Sequence, residues 1–245
     1  MSQDAGRSVI ELANVTKVFR TGEVSVQALR GVSFAVRERE LVAIMGPSGS
    51  GKTTLLGILG CLDRPTEGSY KLVGEEMSTL DETRRARVRG ERIGFVFQAY
   101  NLIPRTTAYK NVELPLVYAG VPGPERRGRV LSALASVGLA ERGAHFPNQL
   151  SGGEQQRVGI ARALVVEPSV ILADEPTGNL DSASAAEVLS LLGHLNAEGA
   201  TIVMVTHSNE VAEHASRVIR FADGLVVADG PTVHAVAAEP IGAVG

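Results

Sequence analysis

Residues Gly46-Pro47-Ser48-Gly49-Ser50-Gly51-Lys52-Thr53-Thr54 place three glycines, a lysine and two threonine hydroxyls between two different kinds of apolar segment. Glu40-Leu41-Val42-Ala43-Ile44-Met45 before them reads as a strand, and Thr53 to Leu62 reads as a helix. Strand, glycine-rich loop and helix together wrap an anion in backbone N–H groups, with the helix N-terminus aimed at the same charge. Lys52 is placed to reach the outer phosphates of a nucleotide, and the Thr53 hydroxyl to ligate Mg²⁺.

A second chemical cluster ends another apolar run, Val170-Ile171-Leu172-Ala173-Asp174-Glu175. Two carboxylates just beyond a buried strand are costly unless a cation or hydrogen bonds compensate them. In a phosphate-loop protein the first suits the metal shell and the second polarises water, so Asp174 is assigned to Mg²⁺ and Glu175 to the general base. His207 follows the strand-like Thr201 to Val205, where it can donate to the terminal phosphate. Gln98 ends Ile93 to Phe97 and offers an amide oxygen to Mg²⁺ and an amide donor to water. Each gains weight from the company of Lys52 and Glu175.

Leu150-Ser151-Gly152-Gly153-Glu154-Gln155-Gln156-Arg157 contains a capping box, Ser151 with Glu154, ahead of a helix running to Val166. Capping has no use for the two glycines, which weaken a first turn. They make sense where a phosphate approaches the backbone. Because the loop at Lys52 already holds one anion, a second anion site implies a second chain, facing the first.

Around these residues, Val9 to Phe19 and Ala28 to Val36 suit an antiparallel sheet, with a loop from Arg20 to Ser25. Ala99 to Leu150 lacks strand patterning and is divided by Pro104, Pro115, Pro122, Pro124 and Pro147. Glu125 to Val137 has a helical apolar face, so residues 99–150 read as a helical insertion. Strands and helices then alternate again, closing with a hairpin through Asp223-Gly224. Residues 231–245 are expected to be a frayed tail. The five arginines Arg84, Arg85, Arg87, Arg89 and Arg92 suggest a solvated helix face. Cys61, the one cysteine, is expected to be a core thiol within the helical run. The net charge of −3 gives no global signal for nucleic acid. No apolar stretch has membrane-spanning length, and Met1-Ser2-Gln3-Asp4 lacks a signal-peptide pattern, so a cytoplasmic location is expected.

Six segments in this order closely resemble the ATP-binding cassette ATPases, the motor subunits of ABC transporters. Gly46 to Thr53 is similar to their Walker A motif, Gln98 to the Q-loop, and Leu150 to Gln155 to the signature. Val170 to Asp174 followed by Glu175 resembles Walker B with its catalytic glutamate. Gly178-Asn179-Leu180-Asp181 resembles the D-loop, and His207 the switch histidine. The likeness covers residues 9 to 230. It implies an α/β P-loop NTPase: a RecA-like core with an N-terminal antiparallel β subdomain and an inserted helical subdomain, in a single domain spanning 1–245. It further implies ATP and Mg²⁺ as ligands. The nucleotide would be bound by Gly46, Pro47, Ser48, Gly49, Ser50, Gly51, Lys52, Thr53 and Thr54. Ser151, Gly152, Gly153 and Glu154 of a second copy would face it, and Thr53, Gln98 and Asp174 would surround the metal.

Ile93-Gly94-Phe95-Val96-Phe97-Gln98, Asn101-Leu102-Ile103-Pro104 and Asn111-Val112-Glu113-Leu114-Pro115-Leu116 resemble the lipoprotein-release, macrolide-export and cell-division branch. That likeness implies a membrane permease with few spanning helices and a large extracytoplasmic domain, contacted near Gln98 and Tyr100 to Pro104. An exporter or extruder motor is the leading expectation. A mechanotransmission ATPase regulating cell-wall hydrolases is the alternative. Phe19 stands where the branch has an adenine-stacking tyrosine, keeping the π-face without the hydroxyl. Arg39 replaces a usual glycine, and Lys110 replaces a frequent acid. No catalytic position is substituted, so a homodimer is expected. A DNA-repair relative would carry a coiled coil, and no heptad run lies between Gln98 and Ser151.

Overall fold

The computed structural model describes residues 6–22 and 24–232. Its first sheet is built on two long strands, β1 (Ser8–Thr21) and β2 (Val24–Arg37), which pair antiparallel from Ser8↔Arg37 to Thr21↔Val24. The expected loop from Arg20 to Ser25 is therefore mostly strand. Alternation failed to reveal it because Val24, Ser25, Val26 and Gln27 are all exposed, and only the inner half of β2 alternates towards the core.

The chain next enters β3 (Leu41–Met45) and, after the glycine-rich loop, α1 (Lys52–Leu59). Cys61 is buried as expected but lies beyond the helix, in a left-handed conformation with φ 54°. The Leu62 and Asp63 N–H groups both return to the Gly57 carbonyl at 2.9 and 3.0 Å and stop the helix there. Burial pushes the Cys61 thiol up to about 11. β4 (Glu67–Leu72) pairs with β1, and β5 (Glu75–Glu76) with β4, completing the order β2-β1-β4-β5.

α2 (Glu82–Arg92) carries the arginine run, and none of the five is a free cation. Arg84 and Arg92 pair with Glu75, Arg87 with Glu91 and Arg85 with Glu82, while Arg89 donates to the Cys61 carbonyl. Arg85 is buried, so the helix face is only partly solvated.

β6 (Ile93–Val96) leads to a helical stretch. α3 (Ala108–Tyr118) passes through Pro115 without breaking, contrary to the expectation that every proline there divides the chain. Proline removes one N–H bond, but Ala108, Val112 and Leu116 remain packed in the core and hold the turns together. Pro122 caps α4 (Gly123–Ser136), Pro124 lies in its first turn, and Pro147 opens a 3₁₀ turn, Pro147–Gln149. α5 (Gly152–Leu164) then brings the chain back to the sheet.

β7 (Val170–Asp174), α6 (Ser182–Ala197), β8 (Ile202–Thr206), α7 (Asn209–Glu213), β9 (Arg217–Ala222) and β10 (Leu225–Pro231) complete the fold. The second sheet has the order β10-β9-β3-β8-β7-β6, parallel except for the β9–β10 hairpin. Asp223 and Gly224, with φ of 49° and 78°, make its turn. β10 extends through Pro231, tolerable on an edge strand, and Thr232 donates to the Ala215 carbonyl at 2.7 Å. The expected tail thus has ordered residues at its start. Residues 233–245 lie outside the described residues, as does Met1 to Asp4.

β3 and β8 are buried along their whole lengths because both faces are covered. Val42 and Ile44 face a core shared with β1, β2 and α1, whereas Ala43 and Met45 face one shared with α3 to α6. Within the helical stretch, the buried Asn111 side chain ties the approach loop to α3. Its Oδ1 accepts from Ile103 N–H at 2.7 Å, and Nδ2 lies 2.8 Å from Thr106 Oγ1 and 3.0 Å from the Thr107 carbonyl. Asn111→Ala leaves those groups unpaired, with an expected loss of about 2 kcal/mol and a Tm fall of about 5 °C by calorimetry.

Candidate functional site

Register alone gathers the chemistry. Met45 is level with Thr206, Asp174 with Val205, and Val96 with Ala173, so the strands leading to Gly46, Asp174, His207 and Gln98 end along one edge. That carboxyl edge of a parallel sheet is where open α/β folds bind ligands. A cavity of about 370 Å³ opens there, lined by Ser48, Gly49, Gly51, Lys52, Thr53, Thr54, Gln98, Asp174 and Glu175.

The loop's shape depends on glycine at two positions. Gly51 has φ 102°, and a Cβ there would sit 2.6 Å from the Ala28 carbonyl; one on Gly46 would sit 2.2 Å from the Phe221 carbonyl. α1 has neither a side-chain cap nor an acid in its first turn, leaving its N-terminal N–H groups to an anion. Lys52 is buried, and its ammonium donates to the Gly46 and Pro47 carbonyls at 2.7 and 2.8 Å.

Glu175 is held from β8. Its Oε1 accepts the His207 backbone N–H at 3.0 Å and lies 2.6 Å from His207 Nδ1, while Oε2 accepts from the Thr206 hydroxyl at 3.0 Å. Thr206 was missed in the sequence. The sequence signal there is a hydroxyl directly before a strand-end histidine; its full burial comes from the fold. Gln98 Nε2 lies 3.3 Å from Asn179 Oδ1, and Asn179 Nδ2 donates to the Gln98 carbonyl at 3.1 Å. Asn179 stood out in the sequence only as part of a motif.

Of the expected residues, Gly46, Pro47 and His207 line a separate cavity of about 340 Å³, Ser50 lines neither cavity, and two further groups lie elsewhere. Ser151 and Glu154 do form the capping box, at 2.8 and 3.1 Å, but none of Ser151, Gly152, Gly153 and Glu154 lines the cavity. Phe19 is also outside the lining, half-exposed on β1 with Lys17 Nζ 5.0 Å from its ring centroid.

The residues fit a magnesium–nucleotide complex. Thr53, Asp174 and Gln98 supply the hydroxyl, carboxylate and amide oxygens that Mg²⁺ prefers, and Ser50 Oγ is buried without a partner among the described residues. Burial first, then the charge of Glu175, raises the Asp174 carboxyl above its ordinary value, against the opposing pull of Lys52.

The comparisons decide the class. The family described as ABC transporter matches residues 29–178. An uncharacterized ABC transporter ATP-binding protein of Thermotoga maritima is 56% identical over 220 residues, covering 90% of this chain and 94% of that protein. This chain belongs to the ABC transporter ATPases. The macrolide export ATP-binding/permease protein MacB of Azoarcus sp. is 53% identical over 94% of this chain, which spans only 35% of that relative's length. Among solved structures, the dimeric ATP-binding cassette MJ0796 bound to ADP and Pi superposes with TM-score 0.82 at 47% identity, covering 91% of this chain and 98% of that one. The RecA-like core, the β subdomain and the helical insertion are thus those of this ATPase fold. Hydrolysis of ATP with Mg²⁺ is the chemistry that membership brings to this subunit.

The raised Asp174 carboxyl has a measurable sign. Such a group adds stability below its ordinary value near 3.8, and that stability is lost as pH rises through the higher folded value. At pH 7, Asp174→Asn removes a partly buried charge and should melt above the parent. The difference should close as pH falls through the carboxylate range, and Mg²⁺-dependent ATPase should be lost.

Proposed function

We propose that this chain is the motor of an export-type transporter, working as a homodimer beneath a membrane permease. The observation that carries this reading is the separation within one chain of two anion sites, the Lys52 loop in the cavity and the serine-capped N-terminus of α5 outside it. Two copies facing each other bring Ser151 and the Gly152-Gly153 backbone of one to the triphosphate on Lys52 of the other. The dimeric state named for MJ0796 supports the pairing.

In this reading Lys52 leaves the Gly46 and Pro47 carbonyls for the outer phosphates, and the loop N–H groups hold the inner ones. Mg²⁺, when bound, neutralises phosphate charge, with Thr53, Gln98 and Asp174 as its holders. Glu175 orients water for in-line attack and takes its proton, while His207 fixes the carboxylate and donates towards the terminal phosphate. Phe19, with Lys17 alongside, is the adenine platform. Loss of the bridging phosphate reopens the dimer.

Residues 99–150 serve as the helical subdomain that passes this movement on. The permease contact expected at Gln98 and Tyr100 to Pro104 extends in this reading to a groove of about 240 Å³ between α2, β6, α3 and α5. None of those residues lines the groove; Arg89, Phe95, Phe97, Leu114, Pro115 and Tyr118 do. Among the described residues no helix is long and apolar enough to cross a membrane. In this reading a permease supplies the membrane path, and the ATPase sits against its cytoplasmic face. Kinship with macrolide-export relatives supports outward transport.

Glu175→Gln tests the assignment. Turnover should fall at least about 100-fold, with ATP affinity kept within about twofold. The variant should also become dimeric by light scattering when ATP and Mg²⁺ are added. Near-parental ATPase in Glu175→Gln defeats the base assignment, and a monomer under those conditions defeats the facing pair.

A further inference from the structure

α5 does more than present Ser151. Two of its side chains reach backbone carbonyls in the segments that carry Glu175 and Gln98. Gln156, fully buried, donates from Nε2 to the Pro176 carbonyl at 2.6 Å. Arg162 donates from Nη1 to the Asn101 carbonyl at 2.5 Å and from Nη2 to the Tyr100 carbonyl at 2.9 Å.

Both targets are conformationally costly. Glu175, immediately before Pro176, has φ 42°; Tyr100 and Asn101 have φ 58° and 50°. Asparagine tolerates left-handed backbone, so the cost falls mainly on Glu175 and Tyr100, where such a conformation persists because surrounding structure over-determines it. Glu175 has its N–H on the Val205 carbonyl of β8 and its carbonyl on the Gly178 N–H of its own segment. Gln156 supplies the next anchor along the chain, from a different element. At the other segment, Asn101 N–H reaches only the Ala99 carbonyl two residues back, and Tyr100 N–H bonds the Phe97 carbonyl at 3.2 Å. The guanidinium fork is the contact that brings a neighbouring helix to both carbonyls. Arg162 has no ion-pair partner among the described residues, so its charge is spent on those two carbonyls, and burial lowers its pKa.

We infer that Gln156 and Arg162 are positioning residues for ATP hydrolysis, holding in place the strained turns that aim Glu175 and Gln98. The helix whose first turn faces one nucleotide thereby sets the catalytic groups of the other. Displacement of Ser151 is transmitted along α5 to Pro176 and to Tyr100-Asn101 without a contact to either nucleotide. This rests on Glu175 and Gln98 acting as proposed above.

The test uses the full chain and compares Gln156→Met, Arg162→Lys and the double variant Arg162→Lys with Asn101→Gly. Methionine keeps the volume of Gln156 and removes the donor, and lysine keeps the charge of Arg162 and loses the fork. Each single variant should lower kcat about tenfold, with KM for ATP within about twofold, as expected when only transition-state geometry is lost. Glycine at 101 adopts the left-handed conformation more cheaply than asparagine, so it should recover part of the Arg162→Lys loss. A packing defect would instead be worsened by glycine.

Unchanged kcat in folded Arg162→Lys and Gln156→Met overturns the inference. So does activity that falls in step with Tm and is not recovered by Asn101→Gly. Should Gln156→Met fail to fold, the Arg162→Lys and glycine pair still decides. Glu175→Gln and Gln98→Ala, assayed in parallel, separate the two levels. If they keep turnover, the roles of Glu175 and Gln98 fall, and the positioning role falls with them. If they lose it while the α5 variants do not, only the positioning role falls.

Discussion

Two carboxylates at the end of a buried parallel strand impose the constraint that the rest of this molecule answers. Asp174 and Glu175 repel each other in a site where burial already penalises charge. The positive charge that opposes this repulsion, Lys52, comes from a different strand–helix junction, and the donors to Glu175 come from a third strand end at Thr206 and His207. The sheet order β3-β8-β7 is what makes those ends adjacent. Hydrolysis needs that adjacency, because the phosphate, its cation and the attacking water must meet within one small volume.

In the proposed pairing, α5 joins this constraint to the second copy. Its N-terminus is capped by Ser151 and Glu154, with the Glu154 carboxylate held below its usual range chiefly by the Ser151 N–H. Its body grips Pro176, Tyr100 and Asn101 through Gln156 and Arg162. A single helix thus joins the surface proposed to face a partner to the two loops that bear Glu175 and Gln98. The groove beside Phe95, Leu114 and Tyr118 abuts the same helix near Arg162, so a permease docked there would press on the same lever.

Some elements were legible because their local chemistry has few solutions. The glycine loop, the two apolar strands ending in polar residues and the capping box at Ser151 all appear where spacing indicated. The errors share a cause. The outer half of the β1–β2 hairpin lacks alternation because neither face is covered, and α3 tolerates Pro115 because its buried face outweighs one missing bond. Arg85 reads as a solvent cation until the fold buries it beside Cys61. Each of these depends on neighbours far along the chain, which no local pattern contains.

By itself the sequence determined the chemical inventory: a phosphate loop, a lysine, a paired aspartate and glutamate, a histidine, a glutamine and a serine-capped helix. Residue types and short spacings suffice for that, since backbone N–H groups, hydroxyls and carboxylates carry their chemistry with them. Only the tertiary structure decided which groups share a cavity and which stay apart. Thr206 as a holder of Glu175, Asn179 as a partner of Gln98 and the reach of Gln156 and Arg162 are set by strand register and helix packing. Those relations join residues tens of positions apart, and hydrogen-bond geometry over such separations exists only once both segments are fixed in space.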